Sequence, residues 1–123
     1  MKAATITASV ICFLAGMGTV SCHAQSAPIE FRLMADKANP VGCNSLDPSL
    51  SRVHTVSLMG DKAMVKSAGG INDTLKQTSP QVYRTTFRLG DVTLDVVADA
   101  SAVPRTLSVA EAKRGCRWNA VAR

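Results

Sequence analysis

Tyr83-Arg84-Thr85-Thr86-Phe87-Arg88-Leu89-Gly90-Asp91-Val92-Thr93-Leu94-Asp95-Val96-Val97 carries the clearest structural signal in the chain. Tyr83, Phe87 and Leu89 share one face of an extended segment, with Thr85 between them. Arg84, Thr86 and Arg88 share the other. After Gly90-Asp91 the alternation resumes, with Val92, Leu94 and Val96 on one face and Thr93 and Asp95 on the other. Side chains of a strand alternate with period two, so this is the pattern of two half-buried strands joined by a tight turn. The expected core residues are Tyr83, Phe87, Leu89, Val92, Leu94 and Val96. Arg84, Arg88, Asp95 and Asp99 form the expected outward face.

The same signals recur on both sides of this hairpin. Upstream, Ile29, Phe31 and Leu33 alternate with Glu30 and Arg32, which predicts a first strand, although Glu30–Ala38 also has the composition of a short helix. Asn39-Pro40 breaks the segment, and Val41–Leu50 has the Gly, Asn, Asp and Pro content of a loop. Ser51–Met59 and Lys62–Ser67 read as a second hairpin. Its Gly60-Asp61 turn has Gly at the first central position, as type II′ requires. Gly69-Gly70 marks a bend, and Ile71 and Leu75 share a face of the next segment, which ends at Ser79-Pro80. Downstream, a strand carries Leu107 and Val109, and Glu111–Gly115 is a polar, basic connection. Cys116 and Trp118 alternate with Arg117 and Asn119 in a last strand, and Ala120–Arg123 reads as a tail.

Seven or eight short segments about ten residues apart, with turn signals between them, predict an all-β domain. The expected architecture is a small antiparallel meander closed into a barrel, or two packed sheets. Closure with the first strand beside the last removes the exposed edges that a small sheet otherwise presents.

The first residues read differently. Met1-Lys2 is followed by an uncharged, mostly apolar run from Ala3 to Val20, and Cys22-His23-Ala24 fits a cleavage before Gln25. Residues 1–24 therefore read as a secretory signal peptide and 25–123 as one exported domain. Eighteen uncharged residues also approach the length of a membrane anchor, but the Gly, Ala and Thr content makes the run weakly apolar. Thr19-Val20-Ser21-Cys22 resembles a bacterial lipobox, with Thr at the position where an aliphatic is usual. On that reading Cys22 is acylated and anchors an outer-membrane lipoprotein.

Cleavage leaves two cysteines, Cys43 and Cys116. An even pair in a small exported domain predicts a disulfide, joining the early loop to the last strand. With Lys2 removed, thirteen Lys and Arg stand against nine Asp and Glu, a net charge of +4. The bases are scattered, and Lys113, Arg114 and Arg117 come closest to a cluster.

No catalytic set assembles from these residues. His54 is the only histidine after the signal peptide, and every nucleophile–base arrangement reuses it. A zinc site needs three or four ligands, and Asp91, Asp95 and Asp99 lack the loop geometry of a calcium site, so no cofactor or metal is expected. The aromatics Phe31, Tyr83, Phe87 and Trp118 fall on core positions, which argues against a stacking platform for nucleic acid. The expected function is a non-catalytic binding or interaction domain, periplasmic or secreted, with an envelope protein, lipid or glycan as partner. The alternatives are a structural lipoprotein anchored through Cys22 and a small hydrolase using His54. The candidate binding residues are Arg84, Arg88 and Asp95 on the sheet, with Lys113, Arg114 and Arg117 near the last turn.

Overall fold

The computed structural model describes residues 27–123, and the expected signal peptide and Cys22 lie outside the described residues. The strands are β1 (Ile29–Arg32), β2 (Met34–Ala35), β3 (Val53–Met59), β4 (Lys62–Lys66), β5 (Asp73–Ser79), β6 (Val82–Leu89), β7 (Val92–Asp99), β8 (Thr106–Glu111) and β9 (Cys116–Val121). A 3-10 turn at Val41–Leu46 and a one-turn helix, α1 (Asp47–Leu50), separate β2 from β3. All pairings are antiparallel, and the sheet order is β1-β3-β4-β5-β6-β7-β8-β9-β2.

That order makes a nearly closed barrel, because its two end strands are consecutive in the chain. Only Leu33 separates β1 from β2. Phe31 is registered with His54 on β3 and also bridges Ala122 beyond β9. Farther along, Met34 and Ala35 pair with Asn119 and Trp118. The first segment thus crosses from one edge of the sheet to the other, and the edges that invite aggregation disappear.

The hairpin β6–β7 is the longest ladder, registered from Val82↔Asp99 to Leu89↔Val92. Both Gly-Asp turns form as the sequence indicates. Gly60 and Gly90 have φ of +74° and +68°, while the following aspartates are not in the left-handed region, which is the type II′ pattern. Inward residues of all the long strands meet in one core, with Phe31, Leu75, Leu94, Leu107 and Trp118 essentially inaccessible. Tyr83, Leu94 and Val96 are buried as expected, whereas Phe87, Leu89 and Val92 are only partly covered. These three sit at the tip of the β6–β7 hairpin, which runs past the paired parts of β5 and β8.

Antiparallel connectivity places the Gly60-Asp61, Pro80-Gln81 and 100–105 connections at one end of the barrel. The 67–72, Gly90-Asp91 and 112–115 connections lie at the other, and the 36–52 segment caps that second end. Cys43 in the cap is bonded to Cys116 at the start of β9, 73 residues away, with Cα atoms 5.8 Å apart.

Three sequence expectations need correction. Val41–Leu50 is helical rather than loop, because Leu46 and Leu50 fall four apart and both turn into the core, and Pro48 is accommodated in the first turn of α1. Residues 120–123 are not a tail: β9 continues to Val121, and the Arg123 N–H donates to the Glu30 carbonyl. Glu111 belongs to β8 and is buried, instead of opening an exposed connection.

The Cys43–Cys116 bond closes a long loop, which in the chain-entropy account stabilises the fold by about 4 kcal/mol. The double substitution Cys43→Ser/Cys116→Ser is therefore expected to lower the unfolding free energy by about that amount in urea titration. A change below about 1 kcal/mol would show that the cap is held without the bond.

Candidate functional site

Charged and polar groups inside the barrel were the first candidates for chemistry, and each is occupied by architecture. His54 is fully buried on β3. Its Nε2 accepts the Ile71 N–H at 3.2 Å, so its Nδ1 carries the proton and donates to the Arg52 carbonyl at 3.1 Å. Both ring nitrogens are thus bound to backbone. Gly70 leaves room for the ring, since a Cβ there would lie 2.7 Å from Nε2. Burial pushes the His54 pKa below its ordinary 6.5. The bond to the Arg52 carbonyl opposes that shift, and the Arg52 charge adds to it. The imidazole is a neutral joint between β3 and the 67–72 bend.

Glu111 acts in a similar way on the last turn. Its two carboxylate oxygens accept the N–H groups of Lys113 and Arg114, at 3.1 and 2.7 Å. The Arg114 guanidinium lies 3.9 Å from it. At the same end, the Trp118 indole N–H donates to Asp47 at 2.9 Å, tying the buried ring to α1. Asp73 stands between β5 and β6, accepting the Thr74 N–H at 2.9 Å and the Thr85 hydroxyl at 3.1 Å. No three His, Cys, Asp or Glu side chains converge to hold a metal among the described residues.

The outer wall remains. Arg84 and Asp95 line one shallow depression of about 400 Å³ with Thr86, Val97 and Ser108. Asp95 also lines a second, of about 480 Å³, shared with Asp91, Thr93, Lys113 and Arg114. The register puts Arg88 opposite Thr93, and Asp95 opposite Thr86 rather than opposite an arginine. Arg117 reaches this band through Ala110, which pairs with both Asp95 and Arg117. Its backbone is held by Asn39, whose side-chain amide bonds both the N–H and the carbonyl of Arg117. The predicted residues therefore lie along the outside of β6–β9, but no ion pair joins Asp95 to a base among the described residues. At the far end of β7, the Ser101 hydroxyl and N–H hold the Asp99 carboxyl below the usual carboxylate range.

A stronger feature involves two residues that sequence reasoning passed over. Lys62 on β4 is directly opposite Lys76 on β5, and Lys76 is directly opposite Arg84 on β6. Three exposed cations thus stand in one row across three adjacent strands, roughly 5 Å from one to the next at Cβ. No carboxylate lies within ion-pair distance of them among the described residues. Like charges directly opposite each other destabilise a sheet. The row is invisible in the sequence because its members are 14 and 8 residues apart. Only the register brings them together.

Comparison with known families, with curated proteins and with solved structures returned no match to this chain. Its functional reading therefore stands on its own residues.

The state of His54 has a consequence for stability. Its folded pKa is depressed, so the unfolded chain binds the proton more tightly. Stability from this group is complete above pH 6.5 and is lost as the pH falls below that value. His54→Leu, which leaves the Ile71 N–H unpaired, is expected to cost about 1–3 kcal/mol at neutral pH and to remove this acid slope. Urea titrations of both proteins across pH 7.5 to about 5 check it. Equal slopes in the two would assign the effect to another group.

Proposed function

We propose that this chain is a small exported, non-catalytic binding domain, periplasmic or secreted, whose outer wall takes an anionic partner of the bacterial cell envelope. The observation that carries the reading is the unpartnered row Lys62–Lys76–Arg84. Repulsion along such a row costs a few tenths to 1 kcal/mol per pair, and a ligand carrying phosphate or carboxylate groups relieves it. The partner chemistry shared by an acidic envelope protein, a lipid headgroup and an acidic glycan is this negative charge.

Other features agree. The Cys43–Cys116 bond is compatible with an oxidising, exported location, and the signal-like N-terminal sequence fits the same compartment. The non-catalytic reading draws on His54, whose two nitrogens are taken by the backbone and whose ring is closed to solvent. A general base needs a free nitrogen within reach of a substrate proton. Nucleic acid is a poor candidate partner, because Phe31, Tyr83 and Trp118 are inside the barrel and Phe87 is partly covered, leaving no stacking platform on the basic wall.

Two measurements on the row test the proposal. Lys76→Glu converts the central repulsion into two attractions, and is expected to raise the unfolding free energy by roughly 0.5–1 kcal/mol. The triple variant Lys62→Glu/Lys76→Glu/Arg84→Glu is expected to elute from a heparin column at markedly lower salt than the parent. Unchanged elution of the triple variant would remove the row as the binding surface, and with it the reading.

A further inference from the structure

Four large apolar side chains are exposed among the described residues, and three of them share one region of the surface: Met34, Val103 and Val121. Met34 and Val121 lie in a groove of about 660 Å³ on the outside of β8, β9 and β2, floored by Ala120. Val103 lies in a groove of about 830 Å³ at the adjoining end of the barrel, with Pro28, Ile29 and Pro104. Arg123 lines both. Arg32 borders the first groove and Arg105 the second. Among the described residues lining the two grooves, the one side-chain carboxylate is Glu30, whose side chain is 59% exposed and 4.0 Å from Arg123. Three arginine side chains against one glutamate leave an excess of two positive side-chain charges.

The patch is continuous by register. Met34 pairs with Asn119 and Phe31 with Ala122, which brings Arg32 level with Val121. Val121 in turn pairs with Thr106. From there the Ala122 N–H bonds the Arg105 carbonyl and the Arg123 N–H bonds the Glu30 carbonyl, so the end loop is fixed to the same edge. Apolar side chains ringed by arginines suit neither bulk water nor a purely ionic ligand. They match the boundary between anionic headgroups and acyl chains, where apolar groups insert and cations remain among the phosphates.

We propose that this face docks on the surface of an anionic lipid bilayer. The path of the chain argues for the same occupant. Ala27 and Pro28, the first described residues, themselves line the second groove. Four residues lie between Cys22 and Ala27, and the five Cα-to-Cα steps span at most about 18 Å at full extension. If Cys22 carries an acyl anchor, this tether keeps the bilayer within reach of this face. A second copy of the chain is a weaker fit, since it sets three arginines against three arginines.

The surface is distinct from the cationic row. In the ring of strands, β5 stands four places from β9 in either direction, so Lys76 is on the opposite wall. The proposal therefore does not depend on the anionic-partner reading, and separate substitutions address the two.

The test uses the chain from Gln25, which contains every strand and the disulfide, and vesicles of phosphatidylglycerol mixed with phosphatidylcholine. Co-sedimentation is expected with these vesicles and not with phosphatidylcholine alone. Met34→Asp/Val121→Asp is expected to lower the partition coefficient at least about tenfold, since it replaces the inserting side chains by charges that the headgroups repel. Arg32→Ala/Arg105→Ala/Arg123→Ala is expected to lower it further, by roughly fivefold for each arginine near the surface. Lys62→Glu/Lys76→Glu/Arg84→Glu is expected to leave it within about twofold. Thermal unfolding of each variant establishes that the fold is kept, and Met34→Thr/Val121→Thr replaces the aspartate pair if it is not. No binding by the parent chain overturns the proposal. So does binding that falls with the Lys62/Lys76/Arg84 variant while ignoring both substitutions on this face. Dimerisation of the parent in free solution, abolished by Met34→Asp/Val121→Asp, would assign the face to a second copy instead.

Discussion

The structure depends on one residue pairing in two directions. Phe31 is registered with His54 on one side and with Ala122 on the other, so a single strand supplies both edges of the sheet. A strand lying between two others has its backbone groups satisfied on both sides, and the barrel needs no separate closing strand. The arrangement also explains why the closing segment is broken at Leu33. The Leu33 N–H bonds the Arg52 carbonyl on the β3 side, and one residue later Met34 pairs with β9. Leu33 and Phe31 both point inward and are almost completely buried, so the crossing is held by core packing as well as by the ladder.

Closure makes one end of the barrel a problem of its own. The 36–52 segment covers it, and its hold is shared among unlike interactions. The disulfide joins it to β9, Asp47 accepts the Trp118 indole proton, and Arg52 donates to the Pro48 and Ala68 carbonyls. Leu46 and Leu50 add apolar burial. The buried His54 and Glu111 and the half-buried Asp47 follow one rule. His54 and Glu111 satisfy backbone groups of a bend and a turn that the ladder leaves unpaired, and Asp47 accepts the indole proton of the buried Trp118, as burial away from water demands. Among the described residues this accounts for His54 and Glu111, the buried polar or charged groups of the interior, by structure. It leaves the outer surface as the place where function has to be sought.

How much of this was legible depended on whether the cause was local. The β6–β7 hairpin was readable because alternation and a Gly-Asp turn are carried by neighbouring residues. The disulfide followed from there being two cysteines in the expected exported domain. The strand character of residues 120–122 was not readable, since Ala-Val-Ala-Arg carries no alternation of its own, Ala120 and Val121 are held by β8, and the partner of Ala122 is Phe31, near the other end of the domain. Glu111 reads as a surface residue until the amides of Lys113 and Arg114 are seen to close on it. The helix at Asp47–Leu50 was hidden by residues that also make loops, and the spacing of Leu46 and Leu50 was its one signal. The candidate site shows the same division. Arg84 was found because it lies on the outward face of a clear strand. Its neighbours Lys62 and Lys76 were not, because register across three strands cannot be read from separation along the chain.

The two proposed surfaces make sense of each other through that register. Among the described residues the interior of the barrel is filled by core side chains and the two surfaces lie on its outer wall. A convex wall offers affinity chiefly through charge or through exposed apolar area. Here the two resources are segregated. The wall of β4–β6 carries opposed cations with threonines around them and little to insert into a membrane. The wall of β8, β9 and β2 carries apolar side chains with arginines at their margin. Lys76, the centre of the row, is on β5, four places from β9 in either direction around the ring. A domain lying on a bilayer through the second wall would present the first directly away from it. The row of cations would then stay clear of the headgroups that compete for it, open to an anionic partner arriving from the aqueous side. Had both features fallen on one wall, membrane docking and partner binding would exclude each other.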